Sequence, residues 1–268
     1  IKTPLICNLC NNCSNIQLKY ITSGKRYNIV DYSYTSSNSS FSQNHWNKYA
    51  TMLKTRFNNN NPFIVEIGSN DGLLLHYIKE VLSDNILGID ASEKMCDIAN
   101  ENNIKSICGL FDEELSTQLL TEYKKADIIV ANNVVNHANN VMSLLKGVYN
   151  LLSDEGSFIF ELPYWGESIK STRIDQIYHE HISYFTVKSA YNILNKIGLH
   201  IYDIEFVEYH GVSIRVFASK KSITPSSILD MIKNEEEENL FNVNFYNSFM
   251  EKYSNLKNII IEKIKMYK

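Results

Sequence analysis

Between residues 63 and 162 the chain alternates short apolar runs with amphipathic stretches, and this rhythm constrains the fold more than any other feature. Residues 63–67, 86–89, 104–107, 127–131 and 157–162 read as five strands. Each run is nearly continuous in apolar residues, which suits a strand buried on both faces. Residues 73–82, 93–102, 113–123 and 140–152 carry apolar positions at helical spacing. Five buried strands joined by crossover helices predict an α/β fold, a mostly parallel sheet with flanking helices.

The flanks read differently. Residues 1–60 look irregular, and 15–49 are rich in Ser, Tyr and Asn without a sustained period, which predicts loops or short helices. Beyond the alternation, 188–197 reads as a helix, and 201–208 with 213–219 as an antiparallel pair. Residues 226–268 read as helical and highly charged. Their acidic run, Glu235 to Glu238, reads as a solvated helix face. Leu256, Ile259, Ile260 and Ile264 share one helical stripe and are expected to pack on something. The plan is an amino-terminal segment 1–60, a central domain 61–222 and a helical region 223–268.

With 26 basic and 30 acidic residues and a net charge of −4, no general attraction to nucleic acid or an anionic membrane is expected. No apolar run approaches the roughly 20 residues that span a bilayer, and no leader is recognisable, so a cytoplasmic location is expected. Of five cysteines, Cys7, Cys10 and Cys13 crowd together while Cys96 and Cys108 stand apart. That pattern suggests the remnant of a metal knuckle rather than a disulfide scaffold.

Only 10 of 268 residues are glycine, yet Gly68, Gly72 and Gly88 fall within 21 consecutive positions. The first strand runs into Glu66-Ile67-Gly68-Ser69-Asn70-Asp71-Gly72, a turn of small residues that lets a ligand approach backbone N–H groups. A phosphate loop requires a lysine here, and a dinucleotide fingerprint a third glycine; both are missing. Carboxylates at Glu66 and Asp71 suit instead a ligand bearing an ammonium group, such as the methionine part of S-adenosylmethionine. The second strand ends at Asp90, about 20 residues after the glycine turn, where a carboxylate can accept both ribose hydroxyls. Phe111 after the third strand could flank an adenine, and Asn132 and Asn133 end the fourth. An ordinary α/β turn with a capping Asp71 and a surface Asp90 is the alternative, and Phe111 reads nearly as well as a core aromatic.

The densest chemistry is Asp175-Gln176-Ile177-Tyr178-His179-Glu180-His181. His181 reads as a base, Glu180 as an orienting group, and Tyr178 as a donor to a developing enolate. His137, just after the fourth strand, reaches the same sheet edge by topology. A metal site at His179, Glu180 and His181, or a polar loop capping the next helix, are the alternatives.

At these residues the sequence resembles the sugar C-methyltransferases, which use S-adenosylmethionine to methylate carbon 3 of nucleotide-linked 4-keto-deoxysugars. The likeness includes Val65 to Gly72, Asn133 to His137, Glu161-Leu162-Pro163-Tyr164, Tyr178 to Phe185 and His210 to Arg215. In the last motif Val212 stands where the family has glycine, which bears on the sugar or nucleotide contact. The resemblance implies a class I methyltransferase (Rossmann-like) fold, S-adenosylmethionine as cofactor and a nucleotide sugar as substrate. It implies His181 as base, with Tyr178, Glu180 and His137 beside it. It also implies Tyr34, Ser36, Ser37, Tyr164, His179, His210 and Arg215 around the substrate. Cys10 and Cys13 resemble half of a zinc knuckle, with Cys7 a substitute ligand, and the family's first cysteine pair and carboxyl-terminal domain fall outside these residues. Sugar O- or N-methylation and a non-catalytic sugar-nucleotide-binding protein are the competing expectations.

Overall fold

The computed structural model describes residues 3–23, 35–57 and 60–267. The expected alternation forms. β3 (Ile64–Ile67), β4 (Ile86–Asp90), β5 (Ser106–Cys108), β6 (Ala126–Asn132) and β7 (Leu152–Pro163) are parallel. β9 (His200–Val207) and β10 (Ser213–Ser219) add to the β7 edge antiparallel, giving the order β5-β4-β3-β6-β7-β10-β9. A smaller sheet of β1 (Cys7–Leu9), β2 (Ile16–Leu18) and β8 (Ser183–Tyr184) stands apart, in that order. The strand order reverses between β3 and β6, which opens a crevice at their carboxyl ends.

The sheet has two cores because successive strand side chains point to opposite faces. Val65, Ile67, Ile129 and Ala131 pack with α4 (Glu113–Leu119), α5 (Val141–Leu151) and α7 (Val187–Ile197). Ile64, Ile128, Val130, Ile159 and Phe217 pack with α1 (Ser40–Arg56), α2 (Leu73–Val81) and Ala99 of α3 (Glu93–Glu101). By the same alternation Glu66, Asn132, Glu161 and Arg215 fall on the α1 side. Four polar side chains are thus carried into one layer near the carboxyl ends of the parallel strands, Arg215 from the amino end of antiparallel β10.

Several expectations change. α1 is a helix of 17 residues where loops or short helices were expected; its inward stripe is Ser42, Trp46, Tyr49, Ala50 and Leu53. These residues differ little in polarity from the outward ones, so no period shows in the sequence. The third strand begins two residues late, and Ile104 joins the α1-side core instead. Helical residues after 226 divide into α8 (Ser226–Glu237) and α9 (Val243–Met266). Glu235 is buried rather than solvated: it accepts Val187 N–H at 2.7 Å and Lys188 N–H at 2.9 Å, capping α7. Leu256, Ile259, Ile260 and Ile264 do not pack inward; each is 44–54% exposed. No described helix is long and apolar enough to cross a membrane.

Candidate active site

A cleft of about 660 Å³ opens at the switch point. Its floor begins with Gly68, where φ is +72° and an added Cβ would stand 2.2 Å from Val134 Cγ2. Only glycine permits both the left-handed backbone and that approach. Asn70 (φ +51°) and Asn133 (φ +54°) also adopt left-handed turns, and both line the cleft. Asn133 is held by its N–H, which donates to the Glu161 carbonyl at 2.7 Å.

Asp90 lines the wall, and its carboxylate is fixed from both sides. Asn70 N–H donates to Oδ2 and Ser92 N–H to Oδ1, each at 2.8 Å. Burial raises its pKa, and the backbone donors oppose that rise. Gly109, Leu110 and Phe111 continue the wall, and Phe111 is also packed in the core at 5% exposure. Asn132 lines the floor, with both polar atoms of its amide buried beside the Tyr49 hydroxyl.

Glu66, Asp71 and Gly72 stand behind this wall rather than on it. Gly72 (φ +82°) caps α2. Glu66 is buried beside Asp71 and Asp90; desolvation first, then those two negative neighbours, raise its pKa well above the usual carboxylate range. Asp71 accepts from Ser37 N–H and hydroxyl through Oδ2.

The opposite wall carries His137, Tyr178, Glu180, His181 and His210. The His181 ring meets His137 edge-on, with centroids 4.9 Å apart, and Tyr178 at 4.2 Å. His181 Nδ1 lies 2.9 Å from the Gln176 carbonyl oxygen. A carbonyl only accepts, so Nδ1 carries the proton and Nε2 keeps its lone pair. His181 is 7% exposed, and desolvation pushes its pKa down to about 4 despite the Gln176 carbonyl. His210 (φ +52°) is likewise lowered by burial.

Other expected residues lie elsewhere. Arg215 donates to Glu161 and Glu205, leaving it committed within the protein. The Tyr164 hydroxyl donates to Glu235 at 3.0 Å, in a separate cavity of about 270 Å³ that Val212 also lines. His179 Nε2 lies 3.0 Å from the Thr3 carbonyl. Ser36 lines the cleft, and Tyr34 lies outside the described residues. Cys10 and Cys13 thiols hydrogen-bond to each other. Among the described residues no three His, Cys, Asp or Glu side chains converge as a metal site, so Cys7 does not complete one.

Two residues were not foreseen. Trp46 of α1 lines the cleft, and His45 Nε2 sits 2.8 Å from Glu161 Oε1 while its ring stacks on Tyr209 at 3.9 Å. A helix recognised at 40–56 would have pointed to both.

A doubly wound sheet closed by an antiparallel pair, with a glycine turn and an acidic strand end flanking one cleft, defines a class I methyltransferase. The methyltransferase-domain family matches residues 43–204, and this chain belongs to it. The C-methyltransferase NovU of Streptomyces niveus is 26% identical over 251 residues, covering 92% of this chain and 59% of that protein. The chain therefore spans less than two thirds of NovU's length. Magnesium protoporphyrin IX methyltransferase from Synechocystis PCC 6803, solved with S-adenosylhomocysteine, superposes with TM-score 0.51 at 15% identity, over 67% of this chain and 83% of its own. A methyltransferase of Clostridium acetobutylicum gives TM-score 0.52 at 14% identity, over 68% of this chain and 92% of its own. S-adenosylmethionine is the cofactor that a methyltransferase domain of this family takes, and the left-handed glycine turn, Asp90 and the buried Asn132 amide fit it.

Proposed function

We propose that this enzyme methylates a carbon next to the ketone of a nucleotide-linked deoxysugar. The observation that carries the reading is the fixed tautomer of His181, whose basic Nε2 belongs to the cleft beside Tyr178 and His137. Bound S-adenosylmethionine supplies an electrophilic methyl group. Everything else must come from the protein: a base for the carbon acid and donors for the oxygen that gains charge.

Burial keeps His181 neutral at physiological pH, so its lone pair is available before the reaction begins. A proton taken by Nε2 places an imidazolium beside the new enolate, whose charge raises the ring's proton affinity in the same step. The Tyr178 hydroxyl stabilises the enolate oxygen, and Glu180 and His137 orient the sugar. Ser36 and His210 face the remaining part of the substrate. Asp90 holds the ribose of the cofactor, and Gly68, Asn70, Asn132 and Asn133 its methionine end. NovU, which is named a C-methyltransferase, supports the carbon acceptor.

The test is hydrogen exchange. The protein is incubated with a 4-keto-deoxysugar nucleotide in deuterated water, without methyl donor, and the hydrogen on carbon 3 is followed. Exchange that disappears in His181→Asn supports the carbon reading. Methylation of a hydroxyl or amine on adding the donor, with no prior exchange, replaces it by O- or N-methylation.

A further inference from the structure

The segment between Thr35 and Ser39, which leads into α1, crosses the cofactor turn and is tied to it by side chains of that turn. Ser36 N–H donates to Asn70 Oδ1 at 2.8 Å. Ser37 donates twice to Asp71 Oδ2, from N–H at 3.1 Å and from its hydroxyl at 2.6 Å. Gln43 of α1 steadies the same crossing through Nε2 to the Ser37 carbonyl at 2.8 Å.

The two ends of this arrangement differ. α1 is fastened to the body: the Ser42 and Tyr209 hydroxyls are 3.1 Å apart, and Trp46, Tyr49 and Leu53 are buried. Ser37 and Asn38 are exposed, and the strap meets the turn through Asn70 and Asp71 while Asp71 itself is 7% exposed. Ser36 lines the cleft, so the strap roofs the part of it next to Gly68 and Asn70. Hydrogen bonds at an exposed segment break and reform far more often than those in a core.

We propose that Ser37 and Asp71 form a latch that gates exchange of the cofactor and its spent product. Asp71 then acts through the strap as a positioning residue and does not touch the cofactor ammonium. The inference rests on use of S-adenosylmethionine and is independent of which acceptor is methylated. It predicts a kinetic signature. Loosening a gate speeds arrival and departure together, whereas removing a ligand contact speeds departure alone.

The experiment measures association and dissociation rates of S-adenosylhomocysteine by stopped-flow fluorescence for wild type, Ser37→Ala, Asp71→Asn and the double variant. Ser37 is exposed, so its substitution leaves the fold intact, which thermal melting verifies. Ser37→Ala is expected to raise both rates by about fivefold, with Kd moving by less than about twofold. The double variant should be no faster than Asp71→Asn, because the two groups form one contact. In the ligand-free protein, amide exchange at Ser36 and Ser37 should quicken in Asp71→Asn. Unchanged rates in Ser37→Ala overturn the latch, and so does an Asp71→Asn variant that loses affinity through dissociation alone.

Discussion

Arg215 donates Nε and Nη2 to one oxygen of Glu161, at 3.1 and 2.9 Å, and the Glu161 side chain has no exposed surface. The guanidinium also lies over the Tyr49 ring at 4.1 Å and reaches Glu205 Oε2 at 3.0 Å. With His45 on the other carboxylate oxygen, Glu161 joins β7, β10 and α1 at the edge of the cleft. Such a pair contributes little net stability relative to apolar packing, but breaking it strands a buried charge.

Arg215→Ala should therefore destabilise the fold by about 3–5 kcal/mol, far more than loss of a surface pair. Arg215→Met combined with Glu161→Gln should recover much of that loss, because no charge remains unpaired. Urea denaturation of the single and double variants measures both. Equal destabilisation by the two would show that packing, not charge, governs the site.

His181 sets the acid side of the activity profile. Its folded pKa, about 4, lies below the ordinary histidine value of 6.5, so the neutral base persists well into acid. The acid limb of kcat/KM should fall nearer 4 than 6.5. The linked stability effect has the same sign: as pH falls from 6.5 towards 4 the unfolded chain binds a proton that the folded one refuses, so stability declines across that window. Below it the loss is complete. His181→Asn should flatten this component in a pH series of thermal melts.

The sheet and its two helical layers were legible because parallel strands buried on both faces must be apolar throughout. The glycine turn and the place of Asp90 at a strand end beside the cleft were legible for a related reason: a tight turn after a buried strand needs particular residues at fixed offsets. α1 was not. Its buried stripe uses Ser42 and Tyr49, whose polar atoms belong to the site layer, and no hydrophobic contrast marks it. Arg215 and Tyr164 were assigned to substrate from motif likeness, but sequence adjacency could not show that Glu161 and Glu235 hold them. The burial of His181 was equally hidden, since it depends on Tyr178 and His137 closing around the ring.

Glu66 supplies a second pH dependence, opposite in sign. Its folded pKa is raised well above the ordinary 4.5 by burial and by Asp71 and Asp90. The folded state therefore retains a proton that the unfolded chain releases, and stability falls as pH rises from 4.5 towards the folded value. Glu66→Gln resembles the protonated side chain and should remove this slope. Relative to wild type, the variant's melting temperature should rise as pH is raised through a series of thermal melts, since His181 contributes equally to both proteins.

Gly68→Ala tests the floor of the cleft. A left-handed φ costs a non-glycine residue roughly 1–2 kcal/mol. The new methyl would also meet Val134 Cγ2 at 2.2 Å, and Val134 lines the cleft. Relief of that clash moves Val134 or the turn, so affinity for S-adenosylhomocysteine should drop by about tenfold or more, measured by isothermal titration.

Asp90 separates a ligand contact from a structural one. Each oxygen already accepts one backbone N–H, from Asn70 and from Ser92, and an ionised carboxylate has lone pairs left for two ribose hydroxyls. Asp90→Asn keeps one acceptor and turns an amide donor towards a backbone donor. It should lower the melting temperature modestly and weaken S-adenosylhomocysteine by about tenfold, since hydrogen bonds to a charged group contribute about 1.5–3 kcal/mol. An analogue lacking both ribose hydroxyls divides the two effects. It should bind wild type and Asp90→Asn with nearly equal affinity, because the contact that distinguishes them is gone. If the analogue is weakened by the substitution as much as S-adenosylhomocysteine is, Asp90 serves only to hold the turn between Asn70 and Ser92.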